Sequence, residues 1–391
     1  MLIMAPVLRL IFLTFFAQST TAVTSPYAQI IFRNKGYSNT LVGIVLAVGQ
    51  TASVIMPILL CMLADNTRKT RRIALALITI STILFFPAAK SGSILLTCLA
   101  FFVSFGVFWS INPMMDGYES RLLEGDPAKY GLARSAGTLG YLICLILFAL
   151  TGFPNEKSND SILLCMVIVN TLFAISLIIA PKDLPRREGE TKSRMFSLSW
   201  FSKKYYLMML VVAIGRMGET VINRMLSGYM TEVLNLGNRF TLMIALGAFS
   251  EMVMMFFGGR LLQKGRITAF TAIMLGSIAM FVRLLVYYLF PNVGAFIFAQ
   301  LLHSLTFGLL HVGVTRFIAQ NVAEEHYSVA MSLYWAVATN FPQMIGALIG
   351  GIIVDQIGYS GLFLIFSVFP MLSVVLGYVF RRTLSDKSVK A

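Results

Sequence analysis

Long apolar segments recur along almost the whole chain and are separated by short polar connections. A membrane-spanning helix needs about 20 consecutive, mostly apolar residues. Twelve segments meet that requirement, and the pattern therefore predicts twelve membrane-spanning helices. Their approximate ranges are 8–31, 40–63, 72–89, 93–116, 132–153, 161–180, 205–231, 240–261, 267–290, 293–319, 328–354 and 359–380. The first segment has features of a signal peptide, but the apolar pattern resumes at Ala28, so we expect an uncleaved helix.

One connection is much longer than the others and divides the spans into two groups of six. The polar, basic stretch 181–204 predicts a cytoplasmic linker between an N-terminal six-helix bundle (1–180) and a C-terminal one (205–391). The two halves also show weak sequence similarity, for example between Ser104-Phe-Gly in the fourth span and Thr306-Phe-Gly in the tenth. Internal duplication is typical of secondary transporters, which bind their substrate at the midplane between repeats.

The composition excludes a soluble protein. Hydrophobic residues make up 57% of the chain and charged residues 12%, against roughly 25% charged residues in soluble domains. With both termini in the cytoplasm, twenty of the 31 lysines and arginines lie on the cytoplasmic side and five outside. This positive-inside distribution explains the net charge of +14 without a nucleic-acid partner. We therefore expect a monomeric, multi-pass protein of a bacterial inner membrane, with the lipid bilayer as its surroundings.

Other chemistry has little support in the sequence. The four cysteines show no CxxC spacing and have no accompanying histidine cluster, which argues against a disulfide framework or a metal site. The chain has no glycine-rich phosphate loop and no evident catalytic constellation. We expect no enzymatic activity and no cofactor. The energy source is then an ion gradient, either of protons or of sodium.

Three ionisable side chains lie within spans of the C-terminal half, where such groups are costly and usually functional. Glu251 lies among methionines in the eighth span, Arg283 in the ninth and His303 in the tenth. A carboxyl group that can be protonated near neutral pH is what proton coupling requires. We predict that these residues couple transport to protons, together with Asp116 at the end of the fourth span. The alternative is a permanent salt bridge between Glu251 and Arg283.

A second polar set predicts substrate contacts. Arg216, Glu219 and Asn223 follow one another at helical spacings of three and four residues, and His311 lies eight residues after His303. The alternative to a substrate-binding role is that Arg216 and Glu219 form an ion pair and only neutralise each other's charge. Cations outnumber acids inside the spans, which favours an anionic substrate. Aromatic side chains that could stack on a ring are Tyr27, Trp109, Tyr334 and Trp335.

The loop after the second span resembles the signature of the major facilitator superfamily. Leu63, Ala64, Asp65 and the basic residues from Arg68 match it, although Cys61 stands where the family has glycine. The resemblance implies an all-α fold of two six-helix bundles with inverted 3+3 repeats. It also implies that Asp65, with Arg68, gates the cytoplasmic side.

Within that superfamily the chain is similar to the lactose-permease-like branch of proton symporters. Asp116 and Arg134 lie eighteen residues apart, like that branch's acid and its sugar-contacting arginine. Gly137, Gly140 and Tyr141 follow in the same register, with the aromatic side chain where lactose permease stacks a tryptophan. The resemblance implies that Arg134 and Tyr141 contact the substrate.

The coupling residues match that branch only in part. Arg283 and His303 are twenty residues apart, like its coupling arginine and histidine. Gln300 and Thr306 stand where that branch has a lysine and its coupling glutamate. This chain therefore cannot use that branch's complete route of proton release. Glu251 is the obvious substitute carboxyl.

The chain looks still more like the phenylpropionate-permease group. This likeness rests on the run from Gln300 to His311, on Glu251 and on the Asn112-Pro-x-x-Asp motif. That resemblance implies import of an aromatic carboxylate with protons by alternating access. Three alternatives stay open: a proton symporter for a sugar or nucleoside, a proton-antiporting drug exporter, and a membrane sensor or scaffold that no longer transports.

Overall fold

The computed structural model describes residues 6–123, 127–183, 200–323 and 326–385, and within these ranges every regular element is helical. The helices are α1 (Pro6–Asn34), α2 (Asn39–Thr67), α3 (Thr70–Lys90), α4 (Ile94–Leu122), α5 (Pro127–Thr151), α6 (Asn159–Ile179), α7 (Lys203–Gly228), α8 (Phe240–Gln263), α9 (Ala269–Leu289), α10 (Val293–Leu301), α11 (Leu310–Asn321), α12 (Tyr327–Trp335), α13 (Phe341–Val379) and α14 (Arg381–Leu384). Three π-helical turns, Tyr229–Val233, Ser304–Leu309 and Ala336–Asn340, and one 3₁₀ turn, Gly237–Arg239, complete them.

The prediction of a twelve-helix membrane fold is confirmed. Within the described ranges, eleven continuous helical segments are long and apolar enough to cross a membrane. The last of them, Val329–Val379, has 51 residues, more than twice the roughly 20 residues that one span needs. Gly358 interrupts it with a left-handed backbone (φ 74°). This segment therefore holds the last two spans, which meet where the sequence predicts a break.

The described residues divide into two compact units. We name the described part of Met1–Tyr37, Ile44–Arg194 and Gly237–Thr241 the N-terminal unit, and the described part of Ser38–Gly43, Met195–Leu236 and Leu242–Ala391 the C-terminal unit. The centre of the basic linker, 184–199, lies outside the described residues. The domain bounds derived from the sequence stay a prediction.

In the N-terminal unit, α1 packs against α5 and α6, and α3 packs against α4. Close approach of α1 and α5 depends on glycine, since a Cβ at Gly140 would lie 2.2 Å from the carbonyl oxygen of Phe15. The same face of α1 carries Thr14 and Gln18 toward α4, where they bond to Glu119 and Asn112. This packing places polar side chains of three helices in one region of the unit.

In the C-terminal unit, α7 packs against α13 and α9, and α9 also packs against α13 and α11. Buried hydroxyl groups support these contacts: Ser373 donates to the carbonyl oxygen of Val211 at 2.8 Å and lies 3.3 Å from the hydroxyl of Ser277. Asp355 of α13 accepts backbone N–H bonds from Asn39 (3.0 Å) and Thr40 (2.7 Å). It thereby caps the first turn of α2, whose N–H groups have no partner within the helix.

Many large apolar side chains of these helices are exposed, among them Ile58, Leu59, Ile83 and Leu150. Such a surface would aggregate in water, whereas in a bilayer it faces lipid.

Replacing Gly346 of α13 by alanine should lower the thermal stability of the detergent-purified protein. The new Cβ would lie 1.9 Å from the hydroxyl oxygen of Thr220 and 2.5 Å from its Cβ. Overpacking of this kind costs about 1–3 kcal/mol, so we expect a lower Tm by intrinsic fluorescence. Gly259→Ala in α8 is the matched control, because no atom lies within 4 Å of its added Cβ. Equal Tm values for both variants would contradict the close α7–α13 packing.

Candidate functional site

His303 stands between a cation and a carboxylate in the C-terminal unit. Its Nε2 lies 3.2 Å from Oε2 of Glu251, and its Nδ1 lies 3.0 Å from Nη1 of Arg283. Arg283 is 1% exposed, whereas the side chains of His303 and Glu251 are 18% and 23% exposed. The structure therefore brings together three of the predicted coupling residues. It separates Glu251 from Arg283 by an imidazole ring instead of joining them in the direct salt bridge of the alternative hypothesis.

The partners of His303 define its tautomer. A guanidinium group can only donate hydrogen bonds, so Nδ1 of His303 must be the acceptor and carry no proton. The ring proton of neutral His303 then lies on Nε2 and points to the Glu251 carboxylate. A second ring proton would point at Arg283 and abolish their hydrogen bond.

Neutral groups satisfy the other donors of Arg283. Its Nε donates to the hydroxyl of Tyr287 (3.1 Å), Nη1 also donates to Thr306 (3.3 Å), and Nη2 donates to the amide oxygen of Gln300. Gln300 in turn donates to the carbonyl oxygen of Met243 at 3.1 Å. Within the described part of the chain, no carboxylate lies within 4.0 Å of Arg283. The buried cation thus depends on fixed dipoles, and Glu251 acts on it through His303.

An irregular turn shapes this group. The π-helical turn Ser304–Leu309 begins directly after His303, and π turns occur frequently at functional sites because they re-aim side chains. Glycine keeps the neighbouring backbone close: a Cβ at Gly308 would lie 3.0 Å from the carbonyl oxygen of Glu251, and one at Gly247 would lie 3.4 Å from the His303 ring. These contacts hold α8 against the turn.

A second polar group lies in the same unit. Arg216 and Glu219 form a buried ion pair at 2.9 Å, with side-chain exposures of 2% and 4%. Arg216 also donates to the hydroxyl of Tyr334 at 2.8 Å, and that hydroxyl lies 3.2 Å from Nδ1 of His311. The structure thus brings together four of the predicted substrate-contacting residues, with the charge of Arg216 offset by Glu219.

Phe307 joins the two polar groups and was not identified from the sequence. Its ring stacks on His311 (5.5 Å between centroids, 8° between planes), lies 5.9 Å from the His303 ring, and is 5.0 Å from the guanidinium carbon of Arg216. It sits four residues after one histidine and four before the other, so helical spacing could have revealed it. Gln300 and Thr306, noted only as departures from the family pattern, are direct partners of Arg283.

Near the C-terminal end of α7, the buried polar residue is not the one that the spacing of Arg216, Glu219 and Asn223 predicts. Asn223 is exposed, whereas its neighbour Arg224 is buried and donates to the amide oxygen of Gln343 on α13. Packing against α13 therefore covers the arginine rather than the asparagine. Gln343 is a further polar partner that was not identified from the sequence.

In the N-terminal unit, Arg134 and Asp116 form an ion pair at 3.2 Å. Their side chains are 46% and 38% exposed, in contrast to the enclosed pair of Arg216 and Glu219. Gln18 donates to Asn112 one turn before Asp116, at 3.4 Å. When a ligand replaces one partner of an ion pair, an exposed pair of this kind loses less free energy than a buried pair.

The predicted aromatic wall of the N-terminal unit is unevenly exposed. Tyr27 is completely buried and packs edge-on against Phe148 and Phe240. Trp109 and Tyr141 are half-buried. The indole N–H of Trp109 has no hydrogen-bond partner among the described residues, which leaves it able to donate to another group.

At the loop between α2 and α3, Asp65 pairs with Arg121 of α4 at 2.7 Å. Arg121 also donates to the hydroxyl of Thr70 at 3.2 Å. Arg68 adopts a left-handed backbone (φ 52°) at the turn between the helices. The gating role of Asp65 and Arg68 stays a prediction.

Known transporters resemble this chain. The model of the MFS_1 like family matches residues 7–365. The uncharacterised transporter YwbF of Bacillus subtilis (strain 168) is 20% identical over 355 residues, which are 89% of this chain and 86% of that protein.

Solved structures show the same fold at low sequence identity. A nucleoside transporter, NupG, superimposes with a TM-score of 0.83 at 15% identity, covering 97% of this chain and 100% of that one. A POT family transporter in complex with a peptide gives a TM-score of 0.75 at 13% identity, over 97% of this chain and 96% of that one. With a family model that spans most of its length, the protein belongs to the MFS_1 like family and is a membrane transporter of the major facilitator type.

Proposed function

We propose that the protein is a proton-coupled symporter that imports a small aromatic carboxylate by alternating access. In this proposal the protein is a monomer of a bacterial inner membrane, with both termini in the cytoplasm. It is related to the phenylpropionate-permease group, and it uses the proton gradient without a cofactor. The observation that carries the proposal is the Arg283–His303–Glu251 chain, which joins a fixed buried cation to a partly exposed carboxylate.

Proton coupling follows from the directions of these hydrogen bonds. When Glu251 is ionised, it accepts the Nε2 proton of His303, and His303 in turn accepts from Arg283. A proton on Glu251 removes the negative charge that orients His303 and, through it, the charge that offsets Arg283. Because His303 sits directly before a π-helical turn, a change in its contacts is passed to the backbone of that turn. We infer that this change helps the protein to alternate between its states.

Each unit, taken by itself, offers groups suited to substrate contacts. Arg134 offers an exposed guanidinium that a carboxylate could engage in a bidentate pair, in exchange for Asp116. Arg216 is less suitable as an anion site, because Glu219 already offsets its charge. The partly exposed rings of Phe307 and His311 supply apolar faces for an aromatic substrate, whereas the predicted contact residue Tyr334 is completely buried and acts behind His311.

A nucleoside is the second candidate substrate. The fold similarity to a nucleoside transporter is compatible with it. So is the neutral Arg216–Glu219 pair beside aromatic rings, because it offers both donors and acceptors to a hydroxylated, uncharged ring. Currents on a solid-supported membrane, combined with the measured ratio of protons to substrate, discriminate between them: at the same proton number, symport of uridine moves one more positive charge per cycle than symport of phenylpropionate, which carries one negative charge.

Glu251→Gln should abolish the accumulation of phenylpropionate driven by a pH gradient and preserve exchange of internal for external substrate. The amide keeps the shape and the contact with His303 but cannot take up a proton. Radiolabelled phenylpropionate in proteoliposomes provides the measurement, and protein-free liposomes correct for passive entry. Glu232→Gln, at an exposed glutamate of the same unit, should behave as wild type. Undiminished accumulation by Glu251→Gln would exclude Glu251 as the coupling group.

Arg134→Ala should weaken phenylpropionate binding roughly tenfold to hundredfold, because a hydrogen bond to a charged group contributes about 1.5–3 kcal/mol. Calorimetry on the purified protein measures the change. Arg260→Ala is the matched control, since this exposed arginine of α8 only covers the ring of Phe256. Equal affinity in wild type and Arg134→Ala would place the anion site elsewhere.

A further inference from the structure

A buried carboxyl group of the N-terminal unit takes no part in the proposed coupling group. Glu119, near the end of α4, is 1% exposed. Its Oε1 lies 2.7 Å from the hydroxyl oxygen of Thr14 on α1, and its Oε2 is buried with no hydrogen-bond partner among the described residues. No lysine, arginine or histidine of the described chain lies within 4.0 Å of it. An ionised carboxylate in such a place would lack both a counter-ion and most of its hydrogen bonds.

The contacts of Thr14 are suited to a protonated Glu119. The same hydroxyl oxygen is 2.8 Å from the backbone carbonyl oxygen of Leu10, one turn earlier on α1. A carbonyl oxygen can only accept, and a hydroxyl has one proton to donate. If Thr14 donates to Leu10, as threonines in helices commonly do, the short contact with Glu119 needs a proton from the carboxyl group. With Glu119 protonated, both contacts are hydrogen bonds at once.

The charged groups that face Glu119 leave this assignment intact. The charged groups that act electrostatically on Glu119 are Asp116, one turn earlier on α4, and Arg134 of α5. Those two side chains are paired with each other, so the attraction of Arg134 for a carboxylate at Glu119 is partly offset by Asp116. From α1, the facing group is the neutral Thr14.

We propose that Glu119 and Thr14 form a second proton-binding site, separate from Glu251, whose proton is released and regained during transport. On release, the proton passes from Glu119 to water, and the Thr14 hydroxyl turns from the Leu10 carbonyl to donate to the new carboxylate. No covalent bond other than the carboxyl O–H changes. The use of this proton in transport rests on the proposed proton coupling, whereas its presence on Glu119 does not.

The position of Arg134 links this site to the substrate. An anion bound to Arg134 offsets its positive charge and so favours the proton on Glu119, three residues from Asp116. By reciprocity, a protonated Glu119 favours binding of the anion. Binding of substrate and proton together is the behaviour that a symporter requires.

Infrared spectroscopy of the protein in lipid bilayers at neutral pH tests the presence of the proton. Glu119→Gln should remove one carboxylic-acid C=O band from the wild-type spectrum. Thr14→Val, which keeps the carboxyl group but removes its hydrogen-bond partner, should shift that band to higher frequency. Thr24→Val is the matched control, because Thr24 donates to the carbonyl oxygen of Thr20 on the same helix at 3.0 Å and has no carboxyl partner. A difference spectrum with no carboxylic-acid band would overturn the proposal.

The ratio of protons to phenylpropionate, measured from reversal conditions in proteoliposomes, tests the use of the proton. We expect this ratio to be lower by one in Glu119→Gln than in wild type. An unchanged ratio would overturn the second site even if the infrared band is present. A wild type that moves no protons, with the band still lost in Glu119→Gln, would instead refute the proposed function and leave the protonated carboxyl established.

Discussion

The buried guanidinium of Arg283 is the charge around which the C-terminal unit is organised. A cation at 1% exposure must be solvated by the protein itself, and here tyrosine, threonine, glutamine and histidine acceptors do so. Because none of these acceptors is a carboxylate, Arg283 stays solvated whichever protonation state Glu251 adopts. In the proposed coupling it is therefore Glu251, at the partly exposed end of the chain, whose charge changes, and no buried charge is left unsatisfied.

The two units treat charge differently. The C-terminal unit buries the arginines of its two polar groups, with Arg216 paired with Glu219 and Arg283 surrounded by neutral hydrogen-bond acceptors. The N-terminal unit leaves Arg134 and Asp116 half-exposed and buries Glu119, a lone carboxyl group. In the proposed function this contrast separates the tasks: the open pair exchanges partners with an anion, and the enclosed groups respond to protons.

The membrane made the fold predictable from the sequence. Twelve spans and the break before residue 359 follow from length and polarity, because a bilayer tolerates few polar groups along a span. The neighbourhood of Glu251, Arg283 and His303 followed from residue spacing and family resemblance. Periodicity along one helix does not show which helices pack together. That packing determines three features: the intervening position of His303, the contacts of Phe307 and the burial of Arg224 rather than Asn223. The proton of Glu119 likewise depends on a threonine 105 positions away in the chain.

The tautomer of His303 tests the central claim most directly, because the proposed coupling depends on which nitrogen carries the ring proton. The chain has only three histidines, so ¹⁵N-histidine labelling with single substitutions for assignment gives a resolved signal for each in lipid bilayers. Our account predicts a neutral His303 near neutral pH with its proton on Nε2, and a change in the Nε2–H signal when Glu251→Gln replaces the carboxylate. A doubly protonated ring, or a proton on Nδ1, would contradict the Arg283–His303–Glu251 chain.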